Sequence, residues 1–106
     1  MKDIRFCGRS LEALRGFPAV AKREAGYQLD RIQHGLEATD WKPMPSIGSG
    51  VREMRIMHEG QYRVIYVAKY ADTIYVLHAF QKKAQKTKKQ DIDAAKQALK
   101  QILNEV

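Results

Sequence analysis

The sequence predicts an α+β domain with element order β, α, α, β, β, β, α, in which a helical hairpin and a C-terminal helix cover one antiparallel sheet. Three observations carry that expectation. Apolar residues at Ala21, Ala25, Leu29, Ile32 and Leu36, and again at Ile92, Ala95, Leu99, Ile102 and Val106, recur every three or four positions, the spacing of one helical face. Between these stripes, over residues 51–80, the period falls to two and β-branched and aromatic side chains dominate. A chain of 106 residues, 44% hydrophobic, can bury a single core, so residues 1–106 read as one domain.

In chain order, Ile4 and Phe6 alternate with Arg5 and Cys7 in a short strand closed by Gly8. Ser10 is placed to cap a helical turn carrying Leu11 and Leu14, which Gly16 ends. Pro18 stands at the first turn of a second helix, where proline is tolerated. The remaining positions of that helix, Lys22, Arg23, Gln28, Asp30, Arg31 and Gln33, read as its solvent face. Residues 39–50, TDWKPMPSIGSG, hold two prolines and two glycines and read as a connecting loop, with Trp41 anchored over the core edge. VREMRIM, QYRVIYVA and TIYVLHAF, separated by HEG and KYAD, then form a three-stranded antiparallel meander. In its second strand Arg63, Ile65 and Val67 share one face and Tyr62, Val64 and Tyr66 the other. Both faces are substantially apolar, as expected if each is covered, and an arginine projecting from the middle of such a sheet needs a partner or a ligand. Thr87 and Gln90 have capping-box spacing ahead of the last helix, whose first turn carries Asp91 and Asp93.

The charge narrows the function. One cysteine, Cys7, cannot form an internal disulfide, and three scattered histidines argue against a structural zinc site. No apolar run approaches the ~20 residues needed to span a bilayer, and the opening MKDIRFCGRS lacks the apolar core of a secretory signal, so the expectation is a cytoplasmic protein without a membrane partner. The net charge is +7, from 19 Lys and Arg against 12 Asp and Glu. Residues 51–89 carry nine of the basic groups and only three acidic ones, Glu53, Glu59 and Asp72. The densest run is Lys82, Lys83, Lys86, Lys88 and Lys89, which must be solvated or meet an anion. A polyanion, nucleic acid first, is the partner this balance favours.

The run GQYRVIY at 60–66, then IYVLHAFQKKAQKT at 74–87, then an amphipathic helix with Asp91, Ala94 and Ala95, resembles the RelE/ParE toxin superfamily, and within it the phage-derived HigB-like branch. REMRI at 52–56 is similar to the strand before this hairpin in that family, and the likeness spans the chain in length and element order. One departure is Lys88, where relatives often carry proline. The resemblance implies the toxin of a type II toxin–antitoxin pair, cutting messenger RNA in the ribosomal A site. It implies a small helix-turn-helix antitoxin encoded beside it as partner, with operator DNA reached only through the complex. The same fold also hosts ParE-like inhibitors of DNA gyrase that are not nucleases, and an inactive nucleic-acid-binding relative is a third possibility.

RNA cleavage without a metal requires activation of the 2′-hydroxyl, stabilisation of charge at the phosphorus and protonation of the leaving 5′-oxygen. The scattered carboxylates do not suggest a two-metal cluster, and no cofactor is expected. Arg63, planar and always charged, fits a clamp on the scissile phosphate and matches the family's functional arginine. Lys82 and Lys83 fall where the family keeps its second basic group; crowding lowers a lysine pKa, so either of the two can be the base and the other the charge stabiliser. His78 is the histidine closest to this site and suits proton transfer, although its apolar strand neighbours also fit a structural histidine. Arg52, Arg55, Lys86, Lys88 and Lys89 are candidate contacts to RNA phosphates. His34, His58 and Cys7 read as structural or surface residues.

Overall fold

The computed structural model describes residues 1–105. Its elements are β1 (Asp3–Phe6), α1 (Ser10–Arg15), α2 (Ala19–Gln33), β2 (Trp41–Pro43), β3 (Val51–Met57), β4 (Gln61–Val67), β5 (Thr73–Lys82) and α3 (Lys89–Glu105). The α+β class and the meander β3–β4–β5 match expectation, but the sheet has five strands, in the order β1-β5-β4-β3-β2. The first strand pairs parallel to β5, Ile4 beside Ile74 and Phe6 beside Val76, so the sheet is mixed rather than antiparallel throughout. Residues 41–43, read from sequence as loop, form an antiparallel edge strand against β3. Pro43 is compatible with pairing there because an edge strand has one side on which no ladder N–H is needed.

Helices cover both faces of the sheet. Strand alternation sends Tyr62, Val64 and Tyr66 of β4 to one side, where they meet Ala21, Ala25, Leu29 and Ile32 of α2 in the larger core. Ile65 and Val67 point the other way, against Ala95, Ala98, Leu99 and Ile102 of α3. The predicted α3 stripe is thus the buried one as far as Ile102; Val106 lies outside the described residues.

Local chemistry moves several boundaries. Gly35 takes φ +81, and its N–H reaches the carbonyl of Ile32 while that of Leu36 reaches Arg31, a Schellman ending that stops α2 at Gln33. Leu36, expected to extend the apolar stripe, is therefore outside the helix and exposed. Gln28, expected on the solvent face, is 1% exposed: its amide donates to Glu24 and its Oε1 accepts from the Thr39 N–H at 3.0 Å. Ser10 does not cap α1; its buried hydroxyl donates to the Val76 carbonyl at 3.1 Å and fastens α1 to β5. Thr87 likewise turns its hydroxyl away from the helix, onto Glu53.

The loop between β2 and β3 packs under α3 at Gly48, where an added Cβ would collide with Leu99 Cδ2. Gly48→Ala is expected to lower stability by about 1 kcal/mol, the low end for overpacking because Leu99 can rotate. Urea denaturation checks the loss, and hydrogen exchange should show it concentrated in α3.

Candidate functional site

The register gathers cations on the α3 side of the sheet, beyond the part that α3 covers. Lys42 stands opposite Glu53, Arg55 opposite Arg63 and Gln61 opposite Lys82, and directly paired residues share a face. A β-bulge in β5 sets the phase of the last strand. Ile74 and Val76 face the α2 core, whereas Phe80 joins the α3 core and His78 pairs opposite Ile65. Strict two-residue alternation would put Ile74, Val76, His78 and Phe80 on one face; the bulge prevents it, because the extra residue inverts the alternation between Val76 and His78.

At the centre is a buried ion pair. Glu53 is 0% exposed, Arg63 is 5% exposed, and Oε1 of the acid lies 3.4 Å from Nε of the arginine, an ion contact without hydrogen-bond geometry. Lys42 Nζ approaches the same oxygen at 3.8 Å, and the Thr87 hydroxyl donates to Oε2 at 3.2 Å, drawing the segment after β5 over the pair. Arg63 also donates to the Tyr62 carbonyl at 3.1 Å and to Gln61 Oε1 at 2.5 Å. Of its five N–H groups two are hydrogen-bonded, Nε–H turns toward Glu53 without a hydrogen bond, and one on each terminal nitrogen is left. Arg63 is therefore held in place from within the protein and offers an incoming phosphate only its outer edge. Burial pushes its pKa below the ordinary arginine value, an effect that the Glu53 charge opposes.

Lys82 faces this cluster and has no carboxylate partner among the described residues. Its pKa is lowered, first by partial burial and then by the positive charge of Arg63; Glu53 opposes the shift, and Lys42 and Arg55 add to it more weakly. Lys83 follows the strand end and is exposed, with Lys86, Lys88 and Lys89 on the segment leading into α3. Arg55 is on the same face but committed to Asp40, to which its Nε and terminal nitrogen donate at 3.0 and 2.8 Å.

Two candidates lie apart from the cluster. Arg52 is on the opposite face, its guanidinium 3.8 Å above the Trp41 ring and 3.6 Å from Glu37, so an anion bound at Arg63 does not meet it. His78 Nε2 is 2.8 Å from Asp91 Oδ1 and its ring stacks on Phe80. Because a carboxylate only accepts, Nε2 carries the proton in this contact, which ties β5 to the first turn of α3.

Glu53 and Lys42 were not singled out from the sequence. Glu53 carries a legible signal: it alternates with Met54 and Ile56 and shares the other face with Val51, in a sheet whose apolar pattern predicts both faces covered, where a lone acid must find a cation. Lys42 carried none while its segment read as loop. Among the described residues no group of three or more His, Cys, Asp and Glu is gathered as a metal site would need, and no helix is long and apolar enough to cross a membrane.

A family model described as "Phage derived protein Gp49-like (DUF891)" matches residues 12–100, most of the chain and every residue of the cluster. No curated protein matches the chain.

Proposed function

The chain belongs to the phage-derived Gp49-like family, and from that premise we propose that it is a toxin of the RelE/HigB type, an endoribonuclease that cuts translated messenger RNA and is restrained by a small antitoxin. The observation that carries this reading is the cation cluster. Lys42, Arg55, Arg63 and Lys82 share one sheet face around a single buried acid, next to an exposed lysine segment. More positive charge is assembled there than the protein neutralises, which suits a phosphodiester becoming more negative in its transition state.

In this reading the phosphate rests against the outer edge of Arg63 and between the Lys82 and Lys83 ammonium groups. Lys82, whose lowered pKa makes its neutral form more accessible, takes the proton from the 2′-hydroxyl. The 2′-oxygen attacks phosphorus, and the 5′-oxygen leaves with a proton drawn from the surrounding ammonium groups. Lys86, Lys88 and Lys89 hold the flanking backbone. His78, engaged by Asp91, has a positioning role for α3.

Induction of the wild type followed by mapping of new 5′ ends on translated messages tests the proposal. Growth arrest with cuts inside open reading frames is expected. Arrest with intact messages and gyrase-dependent DNA damage would assign the chain to the ParE-like class instead.

A further inference from the structure

The face of the sheet away from the cation cluster carries a basic site of its own. Between the end of α2 and strands β3 and β4 lies a cavity of about 280 Å³ whose charged walls are Lys2, Arg52, Lys69 and Glu37. A second groove, of about 610 Å³, runs along the β2 edge past Trp41, Pro43, Pro45 and Val51. Gly50 and Arg52 line both, so the two chambers meet at one guanidinium. Three cations against one acid leave the first chamber short of negative charge, while the second is walled mainly by apolar side chains.

Arg52 is presented here rather than consumed. Its guanidinium stacks on the Trp41 ring at 3.8 Å, and the exposed Glu37 carboxylate stays 3.6 Å away, beyond hydrogen-bond distance. Lys2 gives one N–H to the Ala68 carbonyl at 2.7 Å, which leaves two outside that bond. Tyr66, directly opposite Arg52 and fully buried, has no partner for its hydroxyl. Burial raises its pKa, and the Arg52 and Glu37 charges that act on it both belong to the cavity wall. An acceptor seated on Arg52 therefore comes beside an unused donor.

The walls select the occupant. Glu37 shows that a carboxylate fits beside Arg52, and the groove along Trp41, Pro43, Pro45 and Val51 offers a sugar–phosphate chain no charge but suits an aliphatic or aromatic side chain. Strand addition is not the mode of entry. Asp40 and Met44 turn their backbone groups toward β3, so Trp41 and Pro43 face outward, and Pro43 has no N–H for an added strand. We infer that the two chambers form a docking site for an acidic segment of a protein partner, with a carboxylate on Arg52 and a neighbouring large apolar side chain beside Trp41. The toxin reading above enters only for the identity of that partner, the restraining antitoxin. Because Arg52 and Arg63 lie on opposite faces, this segment binds without covering the cation cluster.

The test is selection of random short peptides, displayed on phage, against the immobilised full chain, followed by NMR titration of the isotope-labelled protein with the enriched sequences. These should pair Asp or Glu with Leu, Phe or Trp, and should move the signals of the Trp41 indole, Arg52 and Lys69. Arg52→Gln should weaken their binding at least about tenfold. Tyr66→Phe should weaken it about fivefold without loss of stability, because the hydroxyl has no partner to lose. Lys82→Gln should bind them as the wild type does. No enrichment, peptides without acidic residues, or affinity lost in Lys82→Gln and kept in Arg52→Gln would overturn the site. Displacement of the peptides from Arg52 by a uridine oligonucleotide would also overturn it, making Arg52 a phosphate contact. The outcome is independent of cleavage: a chain that binds these peptides at Arg52 yet cuts no message keeps the docking site and loses the ribonuclease reading.

Discussion

Arg63→Met is expected to lower folding stability by about 3–5 kcal/mol and to abolish RNA cleavage in the same protein. The stability loss arises from what remains. Glu53 stays fully buried with its nearest cation gone, leaving Lys42 at 3.8 Å and one hydroxyl, that of Thr87, to hold its charge. Removing one member of a buried pair is costly because the other keeps its desolvation penalty. Replacing both members at once, Glu53→Leu with Arg63→Met, removes that orphaned charge and should recover most of the stability. Cleavage should not return with it, because the fixed positive charge behind the phosphate is still missing. Urea unfolding and cleavage measured on the same preparations separate the two effects. A double variant that regains both would reduce Arg63 to a packing residue.

Lys82→Gln should show the opposite relation between stability and activity. Because the folded-state pKa of Lys82 is lowered, the unfolded chain binds this proton more tightly than the native protein does. The wild type therefore carries an unfavourable contribution at neutral pH. It is relieved only as pH rises from the folded pKa toward the ordinary lysine value of about 10.4. The neutral variant lacks it and is expected to be at least as stable as the wild type at pH 7. Its cleavage should nevertheless fall by about 10²–10³, the scale for losing one group aimed at transition-state charge. In the wild type the cleavage rate should rise with pH around an apparent pKa below that of free lysine, and this limb should vanish in Lys82→Gln. A variant that is active and less stable than the wild type would remove Lys82 from the role assigned to it.

Much of the fold was readable because it rests on periodicity. The α2 and α3 stripes and the two-residue alternation of β3, β4 and β5 are each set by one buried face, and burial is what the pattern records. The misreadings fall where one residue overrides a period. Gly35 in a left-handed conformation cuts α2 short of Leu36, the bulge in β5 inverts the faces of its last residues, and a proline-containing edge strand resembles a loop. The site was partly readable for a related reason. Charge counting marks the β3 to α3 region, but cannot say which cations share a face with Arg63. Register supplies that, bringing in Lys42 from a segment taken as loop and moving Arg52 to the other side. The partner that Arg63 needed proved to be Glu53, two residues from the position opposite it, a diagonal contact that appears only once the strands are aligned.

If this cation cluster cleaves RNA by attack of the RNA's own 2′-hydroxyl, the cut ends record it. Purified protein would be added, with a chelator present, to ribosomes programmed with a defined message. The products should carry a 5′-hydroxyl on one side and a 2′,3′-cyclic phosphate or its opened form on the other, and Lys82→Gln should yield them at least about a hundredfold more slowly. Products bearing a 5′-phosphate, or a message left whole by a folded wild-type protein, would rule out cleavage by this route.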